Sequence, residues 1–237
     1  MVLRLVGSEM CIRDRLDAMA SYDEKDSTCT KRKEINFEKS LSKDFGSLNI
    51  GVIKNIEKLG INEDVINAYE TSKTVLTGLG HKLIEVDFSE LSSGICSYYV
   101  IAPAECSSNL SRFDGVKYGY RSDGDKYIVN LYMNTRSDGF GDEVKKRILI
   151  GTHVLSAGFY DAYYLQAQKV RRMIKVKFEN FFKDVDLIFM PTTLDQAFEK
   201  NRKSDDPNRM YKEDLLTIPA NLAGLPAISF PNGFKNN

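Results

Sequence analysis

Apolar positions along the chain change period several times, and each change marks an element. Leu48–Lys54 (LNIGVIK) is a short β-branched apolar run and predicts a strand. Asn62 follows as a candidate N-cap, and Val65, Ile66, Tyr69, Ser72, Val75, Leu76 and Leu79 then recur at helical spacing, closed by Gly78 and Gly80. His81–Phe88 (HKLIEVDF) returns to strand character. Strand, helix and strand together have about the length a parallel crossover needs.

Residues 95–111 (ICSYYVIAPAECSSNLS) predict a helix, with Pro103 in or near an irregular turn because proline has no N–H to give the helix ladder. Residues 112–142 are rich in Gly, Asp and Tyr and read as loop. From Glu143 to Phe182 an apolar stripe runs through Val144, Ile148, Val154, Leu155, Phe159, Tyr163, Leu165, Val170, Ile174, Phe178 and Phe182. Gly151 and Gly158 divide it into two helices or bend one. Asp186–Met190 (DLIFM) predicts a buried strand that delivers Pro191, Thr192 and Thr193 to a loop. Residues 16–46 and 199–209 read as polar loop or coil, Met210–Gly224 contains a short helix, and Ala227–Pro231 (AISFP) predicts a last strand. Together these elements predict an α/β fold: a mixed, largely parallel sheet of at least four strands, covered by helices.

Composition narrows the function classes. Thirty-three basic residues balance 33 acidic ones among 237, which argues against a surface that coats nucleic acid. Hydrophobic residues make up 42%, enough for a core, and no apolar run approaches the ~20 residues that cross a bilayer. Cys11, Cys29, Cys96 and Cys106 show no C-x-x-C spacing, and His81 and His153 stand apart from them, so no metal site is expected. The cysteines read as free thiols in a reducing compartment, which points to the cytoplasm.

Five positions invite chemistry. Ser107 and Ser108 look like a nucleophile and its neighbour, but a serine needs a base within hydrogen-bond reach. Glu105 is two residues from Ser107, which on a helix points another way. No glycine makes the sharp turn that exposes a nucleophile. The pair therefore reads as packing or capping residues, and His153 as a half-buried helix residue. Arg147 ends the basic run Lys145–Lys146–Arg147 beside Ile148. An arginine entering an apolar surface wants a carboxylate, from this chain or from a ligand. Asp214 is the last charged residue before an apolar stretch, either a helix-end acid or a carboxylate facing an ammonium.

The blocks Asp23–Thr28 (DEKDST), Tyr98–Ser122, Gly139–Ile174, Asp186–Thr193 and Asp205–Phe234 together resemble the amidase signature family. Within it, SSNLSRFDG (residues 107–115) and YDAYYLQAQKVR (residues 160–171) resemble the glutaminase subunits of tRNA-dependent amidotransferases. The resemblance implies that the family's reaction cleaves the side-chain amide of glutamine. A serine attacks it to form an acyl-enzyme, while a second serine in a cis peptide and a lysine move the proton. The ammonia passes to a B subunit, where ATP and Mg activate a mischarged Glu-tRNA(Gln) or Asp-tRNA(Asn), and a small C subunit wraps the glutaminase.

Three residues carry over by motif position as glutamine contacts. Arg147 is implied to hold the α-carboxylate, Asp214 the α-ammonium, and Tyr98 to close the pocket. The family's lysine and serines belong to a stretch upstream of Ser27–Thr28 that residues 1–22 do not match, so no catalytic residue is expected in this chain and it is expected to be inactive alone. Residues 1–15 match no part of the family and read as a foreign or mistranslated end. Residues 16–237 read as the C-terminal portion of a single amidase domain. No cofactor is expected in this chain. The expected location is the cytoplasm or the matrix of a mitochondrion or plastid, away from membranes. Two other readings remain: a piece of a free-standing amidase acting on small amides, and a non-catalytic protein that binds the other subunits.

Overall fold

The computed structural model describes residues 15–16, 18–31, 45–124, 126–197 and 212–233. The expected foreign end, apart from residue 15, and the loop at 199–209 lie outside them.

Strand β1 (Asn49–Ile53) is the middle of a three-stranded parallel sheet, flanked by β2 (Lys82–Val86) and β3 (Leu187–Phe189). Asn49 pairs with Lys82, and Ile50 with Leu187, in parallel register. A central parallel strand is covered on both faces, so its side chains are apolar without alternation. Ile50, Val52 and Ile53 are accordingly buried. Gly51 keeps β1 flat against its neighbours: a Cβ there would stand 3.2 Å from Ile188 and 3.3 Å from Val86.

Helix α1 (Glu63–Gly78) makes the crossover from β1 to β2. Asn62 caps it as expected, its side chain accepting the Asp64 N–H. Tyr69 is the buried anchor of α1, 1% exposed. Its hydroxyl accepts the Ile53 N–H at 2.9 Å and donates to the Phe189 carbonyl at 3.1 Å, tying together the C-terminal ends of β1 and β3.

Helix α2 (Gly94–Leu110) passes straight through Pro103, which is buried inside it rather than in an irregular turn. A long apolar helix tolerates the missing N–H when packing on several sides holds it. The region expected to be loop at 112–142 contains helix α3 (Ile128–Gly139). Its apolar residues crowd the first half, with Ile128, Val129 and Met133 exposed, and this hid the period: only Leu131 and Thr135 are buried. Helices α4 (Asp142–Val154) and α5 (Leu165–Phe181) share the long stripe. They separate at Gly158, which takes a left-handed φ of 88°, followed by one π turn at Tyr160–Tyr164. Ile174 and Phe178 carry α5 into the core, where Phe178 packs edge-on to Phe88 at 5.8 Å.

The short helix α6 (Ile218–Ala223) closes the described chain's core and ends at Gly224, φ 72°. The expected strand at Ala227–Pro231 joins no ladder. It runs exposed beside β3, with Phe230 stacked on Phe189 at 6.3 Å and Ser229 Oγ 3.1 Å from Thr192 Oγ1. Three paired strands are therefore found among the described residues where at least four were expected, and all are parallel.

Candidate functional site

The sequence candidates gather around α2. Gly94 lets the start of this helix approach α5 and α6: a Cβ there would meet Ile174 at 3.2 Å and Ile218 at 3.4 Å. One turn later come Tyr98 and Tyr99, both half-buried. Successive helix residues point about 100° apart, so the pair faces two directions. The rings meet edge to face, with centroids 5.2 Å apart and an interplanar angle of 87°.

Tyr99 Oη donates to Asp214 Oδ2 at 2.9 Å. Asp214 is half-buried in the turn before α6. Its carbonyl accepts the Thr217 N–H at 3.2 Å and the Ile218 N–H at 3.0 Å, so the residue also starts α6. The far side of that helix is fixed by Arg171, whose Nε donates to the Leu222 carbonyl at 3.0 Å. Asn221 Nδ2 donates to the Thr217 carbonyl, and Leu225 N–H reaches back to Ala220 around Gly224. The Asn-Leu-Ala-Gly-Leu-Pro stretch is thus the frame that holds Asp214 in place.

Arg147 stands on α4, one helical turn before Gly151 on the same side of the helix. It does not enter an apolar surface. Its side chain is half-exposed and pairs with Glu143 on its own helix, Nε to Oε1 3.2 Å. Ile148, the next residue, points about 100° away around the helix. Among the described residues no hydrogen bond or ion pair joins Arg147 to Tyr98 or Asp214. Three sequence candidates therefore resolve into a tyrosine pair braced on a carboxylate, and a separate exposed cation.

The serine pair is structural at Ser107 and open at Ser108. Ser107 Oγ lies 2.9 Å from Thr152 Oγ1, across the contact between α2 and α4. Thr152 in turn donates to the Ile148 carbonyl. Ser108 lines a shallow cleft with Glu105, Asn109, Tyr160 and Tyr164. His153 stacks at a tilt on Phe159, 4.1 Å between centroids, and the Ser156 hydroxyl donates to its backbone carbonyl at 2.6 Å rather than to its ring.

The stretch after the serines is held by α3. Arg136 Nη1 donates to the carbonyls of Leu110 and Phe113, at 2.8 and 3.0 Å, capping the end of α2. The buried Thr135 accepts the Ser122 N–H at 3.1 Å. Asp114 accepts the Val116 N–H, which lowers its pKa below the ordinary carboxylate value. Tyr99 and Arg136 escaped the sequence reading, and Tyr69 was read only as one position of the α1 apolar face. The adjacent tyrosines at 98 and 99 were the one usable signal, since two neighbours on a helix cannot both face one pocket.

A parallel sheet wrapped by helices defines an α/β protein, with Asp214 and Arg147 carried on separate helical frames. The chain belongs to the Amidase family, whose model matches residues 11–237. It is 50% identical over 222 residues to the A subunit of the glutamyl-tRNA(Gln) amidotransferase of Cellvibrio japonicus, covering 94% of this chain and 46% of that protein. It is 48% identical over 220 residues to the corresponding protein of Hahella chejuensis, covering 93% and 46%. Among solved structures, the A subunit of the Thermotoga maritima glutamyl-tRNA(Gln) amidotransferase matches with a TM-score of 0.65 and 36% identity over 91% of this chain and 42% of that one. A bacterial aryl acylamidase shares the fold, with a TM-score of 0.61 at 17% identity over 91% of this chain and 43% of that one. The chain spans about half the length of the curated relatives it matches. No described helix is long and apolar enough to cross a membrane.

Proposed function

We propose that this chain is part of the glutaminase subunit of a tRNA-dependent amidotransferase. The observation that carries this reading is the identity of about half the residues to amidotransferase A subunits across nearly the whole chain. In this reading Asp214 receives the α-ammonium of glutamine, Arg147 its α-carboxylate, and Tyr98 forms a wall of the pocket. A free amino acid presents one anion and one cation close together, so its site needs one fixed acid and one fixed base. Arg147 meets the ligand by exchanging Glu143 for the substrate carboxylate. An exposed ion pair of this kind holds only about 0.3–0.5 kcal/mol, so the exchange is easy.

The chemistry of amide cleavage is assigned to a Ser–cis-Ser–Lys set upstream of Thr28. Residues 1–237 alone then bind glutamine and do not turn it over. Ammonia released by the complete glutaminase passes to a B subunit, which holds ATP and Mg and the mischarged tRNA. A small C subunit braces the pair. Residence of all the partners in one cytoplasm or organelle matrix fits this division of work.

The test is release of glutamate and ammonia from glutamine. The 237-residue chain is expected to stay at background, and the same chain preceded by an upstream amidase segment to show turnover. Turnover by the 237 residues alone overturns the division of labour. Hydrolysis of simple amides with Arg147→Ala harmless favours the free-standing amidase. Stable capture of B and C subunits without glutamine binding favours the interaction protein.

A further inference from the structure

We infer that Tyr99 is a positioning residue for Asp214, the carboxylate that receives the α-ammonium of glutamine; this rests on the reading under Proposed function. The Tyr99 hydroxyl donates to Oδ2 at 2.9 Å, while no hydrogen bond reaches Oδ1 among the described residues. One oxygen is thus held by Tyr99, and no described residue holds the other. A carboxylate otherwise rotates broadly about χ2. A hydrogen bond to an ionised acceptor is short and strong enough to fix that rotation.

Tyr99 is itself held. Its ring is met edge-on by Tyr98 at 5.2 Å, and its helix is pressed onto α5 and α6 at Gly94. Tyrosine has only two side-chain torsions, so holding it costs little entropy. The main-chain bonds of Asp214 to Thr217 and Ile218 fix the other end of the pair. A pocket wall at Tyr98, a brace at Tyr99 and an acid at Asp214 then form one continuous unit. Movement of Tyr98 on ligand binding reaches the ammonium contact through a single ring-to-ring contact. The unit ends on Asp214, so it governs recognition of the α-ammonium end of the ligand.

The test is equilibrium binding to the 237-residue chain of two ligands: L-glutamine, and 4-carbamoylbutanoate, which has the same amide and carboxylate but no α-ammonium. Tyr99→Phe keeps the ring and removes the hydroxyl. It is expected to weaken glutamine about fivefold to tenfold and to leave 4-carbamoylbutanoate within about twofold. Adding Tyr99→Phe to Asp214→Asn is expected to cost nothing further, since both act through one contact. Equal weakening of both ligands, or no weakening of glutamine, overturns the positioning role. Wild-type protein that binds the two ligands equally, or neither, overturns the reading of Asp214 and this inference with it. Should Tyr99→Phe fail to fold, 3-fluorotyrosine placed at 99 serves instead. Its fluorine resonance is expected to move with glutamine and not with 4-carbamoylbutanoate, and a resonance that ignores both overturns the proposal.

Discussion

Gly151 of α4 packs directly onto the carbonyl group of Pro103 in α2. A Cβ at 151 would overlap that carbonyl oxygen and come within 2.5 Å of its carbon and 2.7 Å of Ser107 Cβ. The two helices that carry Tyr98 and Arg147 therefore cross too closely here for any side chain at 151. Ser107 and Thr152 close the crossing with a hydroxyl pair.

Gly151→Ala is expected to destabilise the chain by at least about 1–3 kcal/mol, because the clash is with backbone that cannot swing away. Urea denaturation of the variant measures it. Ser107→Ala is expected to cost about 1 kcal/mol, the value of one hydrogen bond. An effect of Ser107→Ala on glutamine turnover in a complete glutaminase, with stability unchanged, would contradict its role as a packing residue.

Tyr69→Phe is expected to cost about 1–3 kcal/mol. The substitution leaves the Ile53 N–H and the Phe189 carbonyl without their shared partner at the end of the sheet. Hydrogen exchange localises the loss: the Ile53 amide is expected to exchange faster than its β1 neighbours.

The same tyrosine makes stability depend on alkaline pH. Burial pushes its phenol up from 10.0 to about 12. The folded state then keeps a proton that the unfolded chain has released. The contribution is fully present below pH 10 and is lost as pH rises from 10 towards 12. Thermal melts across that window are expected to fall more steeply for the wild type than for Tyr69→Phe.

Arg147→Ala is expected to weaken glutamine binding about tenfold or more, through loss of a charge-assisted contact. Glu143→Gln is expected to do the opposite on a small scale. Freeing the guanidinium from an exposed pair strengthens glutamine by about twofold. Calorimetric titration of both variants checks the pair. A Glu143→Gln variant that binds more weakly would place Glu143, rather than a ligand carboxylate, as the partner Arg147 needs.

Arg136→Ala is expected to loosen residues 111–122 without unfolding the sheet. Its guanidinium holds two carbonyls at the end of α2 and lies 5.2 Å from the Phe140 ring centroid. Limited proteolysis is expected to cut this stretch first in the variant. Uniform protection would show that Thr135 and the packing of Tyr120 beside Gly139 suffice.

The strands β1 and β2, the Asn62 cap and the break between α4 and α5 were legible because each rests on a local pattern: an apolar run, a capping oxygen, a glycine. Helix α3 was not, because a helix with two buried positions shows no period. The strand expected at Ala227–Pro231 has the right residues but joins no ladder among the described ones, since strand character says nothing about a partner. Pro103 was expected in or near an irregular turn because proline's local cost is plain, while the packing that outweighs it comes from elsewhere in the chain.

The sequence alone determined the α/β class and the crossover unit, which follow from periodicity within single stretches, and the family, which follows from a resemblance in motif blocks spread along the chain. It also named Tyr98, Arg147 and Asp214 as members of a motif. Only the tertiary structure decided what they touch. Tyr99 and Asp214 are 115 positions apart and meet at one hydrogen bond. Arg147 turns to an acid four residues back, rather than to an apolar surface. Contacts between distant segments depend on how whole helices are placed, and that placement is set by the packing of a core to which every element contributes.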